Sequence, residues 1–232
     1  MKSSLTLRFL SAAMCAATLL FTARAADSDG FVPLFDGKTL DGWEQHSGKA
    51  EYRVEDEAVV GKTVAGTGNS FLCTKKKYGD FIFEFEFKVH PEMNSGVQFR
   101  SEFYTQETTV EIAGKPKKFE ADRVFGYQFE IDPSPRAYTG GVYDEARRGW
   151  LFDLMNNEAA RKAFKQNEWN KARILCRGEN IQTWINDVLA ADFTDAMTKE
   201  GVIALQVHGI GKSVEKVGSE VRWRNLRIKE LK

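Results

Sequence analysis

The segment Phe81-Ile82-Phe83-Glu84-Phe85-Glu86-Phe87-Lys88 restricts the fold of this chain more than any other. Its phenylalanines recur at every second position, so an extended strand puts Phe81, Phe83, Phe85 and Phe87 on one face and Glu84, Glu86 and Lys88 on the other. A helix would scatter the same rings around its surface. An aromatic strand face needs an apolar layer opposite it, and the rest of the chain offers one. Alternating or apolar stretches recur at residues 52–54, 58–60, 70–74, 96–101, 124–131, 172–176, 181–185, 202–207 and 221–228, broken by Gly, Asn and Asp turns. About ten strands with little helical pattern predict an all-β sandwich of two antiparallel sheets. The one helical candidate is 157–165, where Asn156 or Asn157 can cap the start and Ala160, Ala163 and Phe164 form a narrow apolar stripe, so a short surface helix is expected.

Composition adds mainly exclusions. With 232 residues, 42% of them hydrophobic, and 33 basic against 33 acidic, the chain is neither a disordered polymer nor a collagen or disulfide scaffold. The neutrality mixes two unequal segments. Residues 1–25 hold Lys2, Arg8 and Arg24, no acid, an apolar run from Phe9 to Phe21 and the small-residue site Ala23-Arg24-Ala25. That pattern reads as a secretory signal cleaved after Ala25, with the mature chain secreted or periplasmic. The run is short for a membrane span. A lipid anchor on Cys15 is the weaker alternative, because Ala12 and Met14 stand where Leu and a small residue would be needed.

Without its three basic signal residues the chain is net about −3, a poor match to a phosphate backbone, so no nucleic-acid partner is expected. No repeat or linker divides residues 26–232, which read as one domain. Cys73 and Cys176 could form one disulfide, but their apolar strand contexts equally fit two buried thiols.

Polar residues on otherwise apolar strands, and the turns that follow them, are the places to look for chemistry. In residues 94–100 Val97 and Phe99 point inward, leaving Gln98 and Arg100 outward. In residues 126–132 the same alternation sets Gln128, Glu130 and Asp132 on one face, and in 203–208 it pairs Gln206 with His208. A loop over residues 140–150 adds Tyr143, Asp144, Arg148 and Trp150, and Tyr138 lies just before it. Taken singly, each glutamine reads as part of a wet sheet face and a lone strand histidine as structural; Arg100, Glu130, Asp132 and His208 matter as a set.

Six segments in order then resemble the 3-keto-disaccharide hydrolase family, whose members are described as 3-keto-glucoside lyases and 3-keto-2-hydroxy-glucal hydratases. They are residues 33–43 (PLFDGKTLDGW), 94–100 (NSGVQFR), 126–132 (GYQFEID), 168–170 (EWN), 184–187 (WIND) and 201–209 (GVIALQVHG). The resemblance implies a concanavalin-A-like jelly roll acting on sugars already oxidised at C3 by a separate sugar 3-dehydrogenase. Oxidation there makes the C2 hydrogen acidic, so a base can remove it, the C1 substituent can leave, and water can add back. The expected roles are Glu130 or His208 as base, Arg100 or a divalent metal as enolate stabiliser, and Tyr143 or Asp144 in proton delivery. Glu130, Asp132 and His208 could ligate such a metal. Gln98, Gln128, Gln206, Tyr138, Arg148 and Trp150 would bind the substrate.

Two other readings stay open. Glu130-Ile131-Asp132 resembles the start of the Glu-x-Asp-x-x-Glu signature of retaining jelly-roll glucanases, but the position of the last Glu is Pro135. Trp150, Tyr138 and Tyr143 could instead be the stacking platform of a non-catalytic sugar-binding module. No Gly-rich dinucleotide fingerprint follows any predicted strand, so no nicotinamide cofactor is expected.

Overall fold

The computed structural model describes residues 29–232, so the expected export signal and the alternative anchor at Cys15 lie outside the described residues. In chain order the strands are β1 (Val32–Pro33), β2 (Trp43–Ser47), β3 (Glu51–Glu55), β4 (Ala58–Lys62), β5 (Ser70–Thr74), β6 (Phe81–Val89) and β7 (Ser95–Ser101). Then come β8 (Thr108–Ile112), β9 (Lys115–Phe119), β10 (Gly126–Ile131), β11 (Val142–Glu145), β12 (Gly149–Phe152) and the helix α1 (Glu158–Ala163). The chain closes with β13 (Asn170–Arg177), β14 (Asn180–Ile185), β15 (Val188–Thr194), β16 (Val202–Val207) and β17 (Glu220–Glu230).

Fifteen of these strands form two antiparallel sheets, while β8 and β9 pair with each other as a separate hairpin. The back sheet runs β15-β14-β13-β6-β17-β4-β3, with β1 added against β17, and the front sheet runs β12-β11-β10-β7-β16-β5-β2. The phenylalanine strand β6 lies near the middle of the back sheet, and its residues alternate between buried and half-buried as the sequence predicts. Phe85 and Phe87 meet Phe129 of the front sheet edge-on, with ring centroids 5.6 and 6.3 Å apart. Such pairs contribute about 0.5–1.5 kcal/mol each beyond the area they bury. On the opposite face of β6, Glu84 binds Arg173 (3.1 Å) and Arg227 (2.8 Å), and Glu86 binds Arg224 (2.8 Å).

All ten predicted segments are strands, and β1, β2, β8, β9, β11, β12 and β15 are additional. The expected loop over 140–150 is a hairpin of β11 and β12, strands of four residues each and too short to stand out as a period in the sequence. Helix α1 is shorter than expected. The Asn157 side chain accepts from the Ala160 N–H at 3.1 Å, and the backbone turns extended at Phe164. Cys73 and Cys176 are both buried free thiols in different apolar clusters. Among the described residues, no helix is long and apolar enough to cross a membrane.

The front sheet departs from a simple inside-outside pattern. Every residue of β7, β10 and β16 is buried, although only one face of each can meet the core between the sheets. The outer face is roofed by the long connection between β7 and β10. Its base is closed by reciprocal backbone hydrogen bonds between Glu102 and Phe125, both 2.9 Å. Val124 of this connection joins Phe71, Cys73, Val202 and Ala204 in a second apolar cluster, and Phe103 packs against it.

Candidate functional site

Under that roof, register brings three glutamines together. Gln128 pairs with Gln98, and Gln98 with Ala204, so Gln206 follows on the same face. The amides of Gln98 and Gln206 both donate to Gln128 Oε1, the latter at 2.9 Å, and Gln128 Nε2 donates to Glu130 Oε2 at 2.7 Å. Gly96 makes the row possible by close approach: a Cβ there would sit 2.5 Å from Cδ of Gln128, whose side chain lies across it. Gln98 Oε1 and Gln206 Oε1 are buried and have no hydrogen-bond partner in the protein. Two buried acceptors without protein donors are costly unless a water or a ligand hydroxyl meets them.

Glu130 ends this relay. Its side chain is 5% exposed, and its second oxygen accepts from Asn94 Nδ2 at 2.6 Å. Burial pushes its carboxyl up to about 7, against the pull of the Asn94 and Gln128 donors and helped by the charge of Asp132. A carboxylate at that value is a competent base at neutral pH and, once protonated, a competent acid.

Asp132 sits at the end of the strand and organises the turn that follows. It accepts from the Ser134 N–H (3.1 Å), the Tyr138 N–H (3.4 Å) and Arg136 Nε (2.8 Å). This pair swings the Arg136 guanidinium over Tyr138 and Trp150, 5.1 and 5.2 Å from their ring centres. Trp150 meets Tyr138 and Tyr143 edge-on, both at 5.3 Å. Tyr143 pairs in register with Gln128, and burial, with the charges of Glu145 and Glu130, raises its phenol above the ordinary value.

The cleft is bridged at its open side. Arg123 Nη2 donates to Glu145 Oε1 at 2.6 Å, and Asn69 Nδ2 donates to the same oxygen at 3.2 Å. Asn69 precedes β5 and Glu145 ends β11, so the two donors tie together strands separated by β10, β7 and β16. On the β2 side, the His46 ring stacks on Phe103 at 3.8 Å and bonds to Asp122 in the same connection.

Three of the expected residues, Arg100, Asp144 and Arg148, point elsewhere. Arg100 adopts φ +46° at a bulge where β7 and β16 shift register, and this turns its side chain away from the glutamine face. It is 1% exposed, and its guanidinium donates to Gly79 O, Gly178 O and Asp80 Oδ1, all at 2.8 Å. Asp144 is fully buried beside Tyr127 in register, with both carboxylate oxygens occupied by Arg147 and Arg148. Arg148 also bridges to Asp195 at 2.8 Å. The alternation of β11 explains this: Tyr143 and Glu145 face the cleft, so Asp144 faces inward.

His208 follows β16 one residue past the Val207–Ser95 pair, and its Nδ1 is 2.8 Å from Gly209 O. It does not converge with Glu130 and Asp132 as a ligand set. Among the described residues, no three His, Cys, Asp or Glu side chains come together in a way that could hold a metal ion. Glu130 and Asp132 are committed to amide and guanidinium donors instead.

Asn94, Arg123, Arg136, Glu145 and Asn69 were not among the expected site residues. Strand parity could have found Glu145, two positions after Tyr143. Arg123 and Asn69 enter only through the path of connections that no local pattern reports.

Comparison with known proteins agrees with this architecture. The pattern that defines the 3-keto-alpha-glucoside-1,2-lyase-like domain matches residues 30–229. A 3-keto-disaccharide hydrolase of Bacteroides thetaiotaomicron is 25% identical over 249 aligned positions, covering 88% of this chain and 80% of the relative. A Bacillus subtilis protein of unknown function with a galectin-like fold superposes with a TM-score of 0.58 at 8% identity, over 82% of this chain and 90% of its own. The carbohydrate recognition domain of Emp47p gives 0.50 at 12% identity, over 88% and 96% of the two chains. With nearly all of its described length matched, the chain belongs to the 3-keto-alpha-glucoside-1,2-lyase-like family.

Proposed function

We propose that this protein is an exported enzyme that cleaves 3-keto-glycosides by elimination and rehydrates the product, giving net hydrolysis. The observation that carries the proposal is Glu130: a buried carboxyl raised to about 7, beside two unpartnered acceptors and a phenol. The name of the Bacteroides relative supports the substrate class.

In this reading Glu130 takes the C2 proton, which the neighbouring C3 ketone makes acidic. The electron pair forms the enolate and then the C1–C2 double bond as the C1–O bond breaks, and the leaving oxygen takes a proton from Tyr143. Water then adds across the double bond: its hydroxyl goes to C1, its released proton restores the Tyr143 phenol, and Glu130 returns its proton to C2. Arg136 replaces Arg100 as the cation for the enolate, because its charge reaches Glu130 while Arg100 is turned away. Gln98 and Gln206 accept from sugar hydroxyls, and Trp150 with Tyr138 forms the apolar wall. A separate sugar 3-dehydrogenase has to supply the ketone.

Two readings compete. A retaining glycosidase needs a second free carboxyl about 5–5.5 Å from the first. Asp132, the next acid on that face, is saturated by Arg136 and two backbone amides. A binding module without turnover is favoured only by the aromatic wall. The deciding experiment compares p-nitrophenyl 3-keto-glucoside with p-nitrophenyl glucoside. The expected result is release of p-nitrophenol from the keto sugar alone. Equal release from both would sink the elimination route, and binding without release would establish the module.

A further inference from the structure

The outer face of the back sheet carries a groove of about 790 Å³, separated from Glu130 by the whole sandwich. Phe35 and Glu57 stand on one wall, Glu84, Arg173 and Arg227 on the floor, and Trp184 beyond them. The floor is a prearranged polar plane. Glu84 lies between Arg173 (3.1 Å) and Arg227 (2.8 Å), with 24% of its side chain exposed and 45% of that of Arg173. Glu86 is held likewise by Arg224 Nε at 2.8 Å and Asn225 Nδ2 at 3.1 Å.

The backbone is shaped at the same place. The β17–β6 register shifts between Arg224 and Arg227, with Asn225 at φ +53°, so two successive side chains of β17 reach one carboxylate. Strand irregularities of this kind re-aim side chains and recur beside binding sites. The Arg173 guanidinium lies 5.9 Å from the Trp184 ring centre, which fixes the half-buried indole at the edge of the polar floor.

The lining decides the ligand class. Five carboxylates (Asp36, Glu57, Glu84, Glu86, Asp187) outnumber three cations (Lys171, Arg173, Arg227), which disfavours a phosphate or a polyanion. Glu84 and Glu86, held by arginines on the same sheet face, offer acceptors beside donors, and the Trp184 indole offers an apolar surface. That combination fits a neutral polyhydroxylated chain. We infer that this groove binds a neutral oligosaccharide, separately from the Glu130 cleft. It would hold the protein on a glycan and raise the local concentration of chain ends near the cleft.

The test is titration of the purified protein with cellotetraose, maltotetraose and xylotetraose, followed by calorimetry and tryptophan fluorescence. At least one is expected to bind, with a fluorescence change that disappears in Trp184→Phe. Trp184→Ala and Glu84→Gln should each weaken binding at least about tenfold. Glu130→Gln should leave it unchanged, and Trp184→Ala should leave turnover of p-nitrophenyl 3-keto-glucoside within about twofold. Binding of none of the three, or binding abolished by Glu130→Gln but not by Trp184→Ala, overturns the inference. Because the readout is binding on the face opposite to the cleft, it stands or falls separately from the elimination reaction.

Discussion

At Glu130, one burial effect sets both reactivity and stability. The folded carboxyl titrates at about 7 against an ordinary 4.5, so between these values the folded protein keeps a proton that the unfolded chain has lost. This contribution to stability is therefore complete below about 4.5 and disappears as pH rises through about 7, at a cost of roughly 3 kcal/mol. Catalysis runs the other way, since only the ionised base can remove a proton. Glu130→Gln is expected to lower kcat by about 10²–10⁴-fold and to flatten the fall in Tm between those pH values. A variant that keeps wild-type turnover removes Glu130 as the base. Tyr143→Phe tests the acid: it should slow release of an alkyl alcohol far more than release of p-nitrophenolate, which leaves without a proton. Equal slowing of both would assign Tyr143 to packing.

Single elements decide who reaches the cleft. The bulge at Arg100 turns that side chain into a clamp joining β7 to the Gly79 and Gly178 turns. Arg100→Ala strands those carbonyls and should cost on the order of 3 kcal/mol, measured by denaturant unfolding, with turnover per folded molecule unchanged. A selective loss of kcat would instead return Arg100 to the chemistry. The connection between β7 and β10 acts through Arg123, whose bond to Glu145 closes the cleft over the glutamine row. Arg123→Ala should admit water to Glu130. The acid limb of the kcat/KM profile is then expected to move below 7, and amide exchange in residues 102–125 to quicken. An unshifted limb would mean that the bridge does not control the burial of Glu130.

For the whole molecule, the sandwich presents two outer faces around one core. Phe85 and Phe87 against Phe129 couple the sheets, so Phe85→Ala should cost about 3–5 kcal/mol and lower Tm without a change in the pH profile of the surviving fold. A changed profile with little loss of stability would show that the cleft senses this contact. The same two-residue period that buries those rings sets Glu84 and Glu86 on the back face, while in β10 it sets Gln128 and Glu130 on the front face.

The sequence by itself determined the strands whose period was long enough to see, the capped helix, and the sharing of a face by Gln128, Glu130 and Asp132. Six ordered segments also carried the family. These are local properties, fixed by backbone geometry and side-chain alternation. Only the tertiary structure decided that the outer face of the front sheet is buried, because the roof over it is an adjoining connection whose path across the sheet no local pattern reports. It also decided the fate of each charge. Arg100 was lost from the site to a bulge, and Asp144 with its partner Arg148 to the alternation of β11, while Arg123, Arg136, Glu145, Asn69 and Asn94 entered it. A charge is placed by the partners that desolvation forces it to find, and those partners are set by register between strands far apart in sequence.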